Sequence, residues 1–188
     1  MKLQEIATIQ TGTFTKTVAE GEVVYLQARH FDEFGNMDSD LLHPDLKLDN
    51  LTQKHLLKPG DVLFAAKGIK NFATVYEAHN PPAVASTTFF VIRLQDTHVM
   101  PAYVTWVLNN PDTQFYLKRS ARGSSMVSIS KSVLEDLDIP IPDLKTQMTI
   151  LNIARLRKAE KFLKEKIEAL REMQIQQQII NAIKKYHD

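Results

Sequence analysis

The sequence predicts an α+β protein, in which a mixed α/β domain is followed by one long C-terminal helix of the coiled-coil type. Three observations predict this fold. Short β-forming segments alternate with short helical segments in the first 142 residues. The segment Pro140-Ile141-Pro142 then forbids a helix, and no proline or glycine follows it. We therefore expect two domains, residues 1–142 and residues 143–188.

Within the first domain, residue types and turn signals predict the short elements. Residues 29–50 are polar and rich in turn formers, and a Pro59-Gly60-Asp61 turn begins a hairpin. Ser132 and Glu135 have the spacing of a capping box. The expected strands cover residues 23–27, 62–66, 73–77 and 87–94; the expected helices cover residues 3–10 (ended by Gly12), 102–108, 113–119 and 132–135; and residues 137–141 are expected to be extended.

The C-terminal region predicts a single helix from residue 144 to about residue 185. Asp143 stands where an N-cap residue would, and some 40 residues make a rod of roughly 60 Å. Its apolar residues recur at spacings of three, four or seven, which is typical of a coiled-coil seam. We expect the seam to pack on another helix, and the alternative is that it lies against its own domain. The seam residues are Ile153, Leu156, Leu163, Ile167, Leu170, Met173, Ile180 and Ile183.

Composition limits the class of protein. There are no cysteines, which excludes disulfides and cysteine-bound metal, and the longest apolar runs are too short for a membrane span. With no secretion signal at the start, we expect a cytoplasmic protein. The net charge is only +1. Residues 1–142 hold 13 basic and 16 acidic side chains, but residues 61–131 are modestly basic. One side of the domain could therefore still face DNA despite the low net charge.

Motifs of catalysis are missing from the sequence, and we expect neither an active site nor a cofactor. The histidines at positions 30, 43, 55, 79, 98 and 187 lack metal-pair spacing and are interpreted as surface residues. Glycine-rich nucleotide loops and nucleophile elbows do not occur. Two acid-x-Lys segments, at Asp45 and Asp143, are similar to part of a nuclease site. Asp143 is better explained as a helix cap, and Asp45 lacks a recognisable partner acid.

Several segments, in this order, resemble the specificity subunits of type I restriction–modification systems. The segments are Leu3-x-Glu5-Ile6 with Gly12; Leu57-x-Pro59-Gly60-Asp61-Val62-Leu63 followed by Gly68; Phe89-Phe90-Val91-Ile92-Arg93; Gly123-Ser124-Ser125 with Ile129; Leu134-x-x-Leu137-x-Ile139-Pro140-Ile141-Pro142; and Gln147-x-x-Ile150. The order of these segments and the junction between the prolines and the long helix are the most specific part of this resemblance.

The resemblance implies a non-catalytic subunit that recognises double-stranded DNA and directs methyltransferase and restriction subunits to a target site. In that family, two target recognition domains are separated by two long helices, which set their spacing and dock the methyltransferase. This sequence has one domain and one helix. It is therefore either a natural half-subunit that works as a homodimer through its helix, or a piece of a longer protein. The alternative function is a coiled-coil protein-interaction module with no role on DNA.

Two basic loops are the candidate DNA contacts. The first is the hairpin loop Lys67-Gly68-Ile69-Lys70-Asn71, in which the lysines could reach phosphates and the asparagine amide a base edge. The alternative is that this loop is simply a solvated hairpin tip.

The second candidate combines arginines with glycine and hydroxyl groups, which suit guanine or phosphate. Its side chains are Lys118, Arg119, Arg122, Ser124 and Ser125, with Lys131 extending the patch. Ser132 is interpreted as a cap rather than a contact. The acidic residues 20–50 are expected to face away from DNA, although Arg29, His30 and Asn36 could contribute. The aromatic residues Phe64, Phe89 and Phe90 are expected in the core.

Overall fold

The computed structural model describes residues 1–32, 34–68, 71–120 and 128–184, and it divides the chain into two units, Met1–Gln147 and Met148–Asp188. The strands are β1 (Ala7–Thr11), β2 (Val23–Leu26), β3 (Pro44–Leu46), β4 (Val62–Ala65), β5 (Ala73–Val75), β6 (Ala83–Ala85) and β7 (Phe89–Leu94). The helices are α1 (Leu3–Ile6), α2 (Asn50–Lys54), α3 (Pro101–Asn109), α4 (Pro111–Ser120), α5 (Lys131–Glu135) and α6 (Leu144–Lys184), with 3₁₀ turns at Ala28–His30 and Ser39–Leu41. The expected mixed domain and long helix are confirmed.

The strands form two sheets. The larger is antiparallel with the order β1-β7-β4-β5, and the smaller has the order β3-β2-β6, in which β2 and β6 are parallel. All residues of β4 are buried, as expected for a strand covered on both faces.

One hydrophobic cluster joins side chains from both sheets. It includes Leu26 of the smaller sheet and Leu63 of the larger one. Three rings in this cluster, Phe31, Phe72 and Phe89, pack with centroids 5.4–6.1 Å apart. The expected burial of Phe64, Phe89 and Phe90 is confirmed. This core fixes the ends of the strands on which the functional loops stand.

The expected helix over residues 3–10 is wrong beyond Ile6. Ala7 already has an extended backbone, and residues 7–11 form a strand that pairs with β7. Ala7 and Ile9 are buried whereas Thr8 and Gln10 are exposed, which is the two-residue period of a strand. The elements β3, β6 and α2 were not predicted from the sequence.

The capping residue of α5 differs from the one expected. The helix begins at Lys131, and the Ser130 hydroxyl accepts a 3.3 Å hydrogen bond from the Val133 N–H. The box predicted from Ser132 and Glu135 is therefore wrong. The extended segment after α5 pairs with the chain start, since the N–H of Ile139 donates to the carbonyl of Met1 at 2.8 Å.

Helix α6 has 41 residues. As predicted, Asp143 caps it, because its carboxylate accepts a 2.7 Å hydrogen bond from the Thr146 N–H. The eight side chains of the predicted seam are 44–64% exposed. Phe162, Ile175 and Ile179 are further exposed apolar side chains that the seam omitted. No helix in the described part of the chain is long and apolar enough to span a membrane.

Candidate nucleic-acid interface

Loops from both sheets meet at one edge of the fold. Strands β1 and β4 both run antiparallel to β7, so their C-terminal ends lie beside its N-terminal end. Strand β6 leads into that end of β7 and is parallel to β2, so the end of β2 reaches the same place. We call the resulting surface the loop edge. It comprises residues 12–17, 27–30, 66–68, 71–72 and 86–88.

Backbone hydrogen bonds tie these loops to one another. The Thr13 N–H donates to the Ala85 carbonyl, and the Ala66 N–H donates to the Thr88 carbonyl, both at 2.9 Å. Gly12 is required for the close approach, because a Cβ at this position would lie 2.1 Å from the Ser86 carbonyl oxygen. The loop edge is therefore a joined surface rather than a set of independent loops.

An open cleft of about 760 Å³, which we call the Ser86 cleft, lies in the loop edge. Its lining residues are Phe14, Thr15, Lys16, Thr17, Tyr25, Gln27, Ala28, Arg29, Ser86, Thr87 and Thr88. These described residues include two cations and no carboxylate. Only Arg29 among them was named from the sequence. The signal that could have found the others is the concentration of hydroxyl residues on either side of Phe14 and just before β7.

The described residues of the first predicted contact loop, Lys67, Gly68 and Asn71, belong to the loop edge. Lys67 is exposed, and its backbone pairs with Ser128. The side-chain amide of Asn71 donates a 2.8 Å hydrogen bond to the Ala65 carbonyl, so that this group stabilises the hairpin. Lys70 lies outside the described residues.

The second predicted patch is only partly described. Lys118 and Arg119 are exposed in the last turn of α4, and the Arg119 guanidinium lies 5.6 Å from the centroid of the Phe115 ring. Lys131 forms an ion pair with Glu135 at 3.3 Å. Arg122, Ser124 and Ser125 lie outside the described residues. Ser128, the first described residue after Ser120, forms a β-bridge with Lys67 of the loop edge.

The acidic residues with a suggestive spacing have structural roles. Asp45 accepts a 2.7 Å hydrogen bond from the Tyr25 N–H. Asp61, in the Pro-Gly-Asp turn, is 1% exposed and accepts two hydrogen bonds from the Arg93 guanidinium, at 2.7 and 2.5 Å. This contact raises the pKa of Arg93. Within the described ranges, no group of three His, Cys, Asp or Glu side chains is placed to hold a metal ion.

His30 is buried rather than on the surface, which corrects the sequence interpretation. Its Nδ1 accepts a 3.2 Å hydrogen bond from the Gln27 N–H, and the Arg29 Nε lies 3.2 Å from its Nε2. Burial, and secondly the charge of Arg29, lower the pKa of the imidazole. The neutral ring therefore positions the segment that carries Arg29 into the loop edge.

Gln147, in the first turn of α6, is fully buried. Its carbonyl oxygen accepts a 2.9 Å hydrogen bond from the Met100 N–H, and its amide donates at 2.8 Å to the carbonyls of His98 and Pro142. The side chain thus joins the start of the helix to the loop before α3, which explains why a glutamine stands in the Gln-x-x-Ile motif.

Comparison with known proteins shows the family. The family model described as type I restriction modification DNA specificity domain matches residues 1–185. No curated protein sequence matches significantly.

Three solved structures share the fold at low sequence identity. The HsdS subunit from Thermoanaerobacter tengcongensis is 17% identical with a TM-score of 0.62, over 85% of this chain and 37% of that one. The type I restriction-modification S subunit from M. genitalium is 14% identical with a TM-score of 0.57, over 83% and 37%. A chain from a structural study of complex assembly and conformational transition of the type I R-M system is 16% identical with a TM-score of 0.60, over 90% and 42%. This chain thus spans less than half the length of these proteins. With the match over residues 1–185, the chain belongs to the type I restriction modification DNA specificity domain family.

Proposed function

We propose that this chain is a non-catalytic, cytoplasmic DNA-recognition subunit that works as a homodimer and directs methyltransferase and restriction subunits to a specific site. The observation that carries the DNA role is the loop edge, where loops from two sheets place cations and hydroxyl groups on one surface. Such a surface can hold phosphates with cations while polar side chains meet base edges. Family membership supports the same role.

Among the predicted contacts, we propose that Lys67, Lys118, Arg119 and Lys131 bind phosphates. Lys67 has the strongest support, because it is exposed at the loop edge. Asn71 is proposed to shape the loop, since its amide is engaged by Ala65. Lys70, Arg122, Ser124 and Ser125 stay predictions from the sequence.

The exposed seam of α6 supports homodimerisation. A row of large apolar side chains with 44–64% exposure is expected to be covered by a partner. Two copies related by a two-fold axis would supply two recognition domains and two helices, and they would suit a palindromic site.

The methyltransferase and restriction subunits are inferred as partners from the similarity to type I restriction-modification structures. One of the similar structures comes from a study of how the type I R-M system assembles its complex. We propose that α6 carries the docking surface for the methyltransferase, and that the restriction subunit joins that complex. Phe162, Ile175 and Ile179 are exposed outside the predicted seam and are available for this second contact.

The test is reconstitution with the methyltransferase subunit. The complex is expected to methylate one defined sequence in a library of DNA duplexes, and the methyltransferase alone is not. The affinity for DNA should fall steeply with salt, with a log–log slope of about −0.9 for each phosphate neutralised. Methylation that is indifferent to sequence, or a stable complex without DNA affinity, would favour the protein-interaction module and reject the proposal.

A further inference from the structure

The Ser86 cleft contains a buried hydroxyl group with nothing to bond. Ser86 is 5% exposed, and its Oγ has no hydrogen-bond partner within the described part of the chain. Its backbone is well fixed, because its N–H donates to the Leu26 carbonyl and its carbonyl accepts from the Phe89 N–H, both at 2.9 Å. Buried polar groups are rarely left unpaired. A polar group that enters the cleft would supply the missing partner.

The other side chains of the cleft define the chemistry of that group. Lys16 and Arg29 are exposed cations, and the described lining has no carboxylate, although acids outnumber bases in residues 1–142. The hydroxyls of Thr87 and Thr88 lie beside Ser86 in the sequence and line the same cleft. This combination suits a ligand that is anionic in one part and rich in hydrogen-bond donors and acceptors in another.

The cleft also presents an exposed aromatic ring. Phe14 is 76% exposed, and it stands two residues after Gly12, whose close approach to Ser86 fixes the base of its loop. An apolar ring beside cations can pack on sugars or unstacked bases.

The position of the cleft favours duplex DNA over a small molecule. The cleft is open, and its Thr88 carbonyl accepts the Ala66 N–H directly before Lys67. The cleft is therefore continuous with the surface proposed to hold phosphates. A DNA duplex lying along the loop edge could therefore contact both the Ser86 cleft and Lys67.

We propose that the Ser86 cleft is a base-reading element of this protein, an inference that rests on the proposed function. Lys16 and Arg29 hold phosphates of the target duplex. Ser86 and Thr87 form hydrogen bonds with base edges and so set part of the sequence preference. Phe14 packs against the nucleotide at the mouth of the cleft.

The test is selection of sequences from a random duplex pool by the full chain assembled with the methyltransferase. Ser86→Ala and Thr87→Val should relax the selected consensus at one or more positions, with a loss of discrimination of about 5- to 150-fold there. Thr97→Val is the matched control, because Thr97 is exposed after the opposite end of β7. Ser86→Ala should fold normally, since it removes only an unpaired hydroxyl.

Substitution of the cations should affect the affinity for DNA, whereas substitution of the hydroxyl residues should affect the sequence preference. Lys16→Ala and Arg29→Ala should weaken binding to all sequences alike and reduce the salt slope by about one each. If the wild-type complex selects a consensus and every cleft variant selects the same one with the same affinity, the cleft is not a reading element. If the wild-type complex selects no consensus, the proposed function fails and this inference fails with it.

Discussion

At the scale of single residues, a buried ion pair stabilises the turn before β4. Asp61 accepts two hydrogen bonds from Arg93, and its Oδ2 also accepts the Lys58 N–H at 2.8 Å. A buried carboxylate with this many partners cannot be removed without leaving donors unpaired. The Pro-Gly-Asp motif is therefore explained by stability rather than by chemistry at the DNA.

We expect Asp61→Ala to lower the free energy of unfolding by about 3 kcal/mol, because Arg93 would lose its partner in a partly buried position. Urea denaturation at pH 7 measures the change. The matched control is Asp136→Ala, whose ion pair with Lys2 joins side chains that are 58% and 43% exposed. This control should lose much less stability, because solvent screens an exposed ion pair. Equal losses in the two variants would contradict the structural role of Asp61.

His30 should make stability depend on pH. Burial lowers its pKa below the ordinary value of 6.5, so the unfolded chain binds a proton more readily than the folded chain. Its contribution to stability is present above pH 6.5 and is lost as the pH falls from 6.5 through the lower pKa of the folded protein. Urea midpoints compared at about pH 8 and about pH 5 should show a smaller decrease in His30→Gln than in the wild type.

At the scale of elements, the first turn of α6 depends on one side chain. The buried Gln147 side chain accepts a hydrogen bond from the Met100 N–H and donates hydrogen bonds to the carbonyls of His98 and Pro142. We expect Gln147→Met to destabilise the chain by on the order of 1–3 kcal/mol, since these groups would lose their partner. The control is Gln176→Met, at an exposed glutamine whose amide donates to Glu172 on the same helix. Thermal unfolding measures the stability of both variants. A loss of stability in Gln147→Met that is no larger than the loss in Gln176→Met would contradict the structural role of Gln147.

Helix α6 could be predicted from the sequence, whereas strands β1 and β6 could not. Helix α6 was predictable because its signals are local: a cap at Asp143, helix-forming residues and an unbroken apolar pattern. Residues 3–10 were misread because Leu3, Ile6 and Ile9 fit a helical spacing, whereas pairing with β7 decides the outcome. The strand β6 has only three residues and follows two prolines, so its pairing with β2 carries no local signal.

The Ser86 cleft could not be predicted for a different reason. It combines residues 14–17, 25–29 and 86–88, which meet only because of the strand order. The sequence contains the hydroxyl groups but not their neighbours, and that Ser86 lacks a hydrogen-bond partner among the described residues is visible only in three dimensions.

At the scale of the whole molecule, self-association should depend on the seam of α6. We expect Leu163→Asp with Leu170→Asp to abolish self-association, because charges would replace apolar side chains at the interface. Light scattering gives the mass, and circular dichroism should show the globular unit still folded. The control is Lys158→Asp with Lys166→Asp, on exposed charged positions of the same helix. An unchanged mass in the leucine variant would mean that the chain associates elsewhere.

The loop edge has a consequence for how such proteins diverge. The side chains proposed to read bases, Ser86 and Thr87, stand on the connection between β6 and β7, whereas the packing of Phe31, Phe72 and Phe89 holds the sheets together. Substitutions of exposed side chains in such connections can therefore change the DNA sequence that is recognised with little penalty in folding.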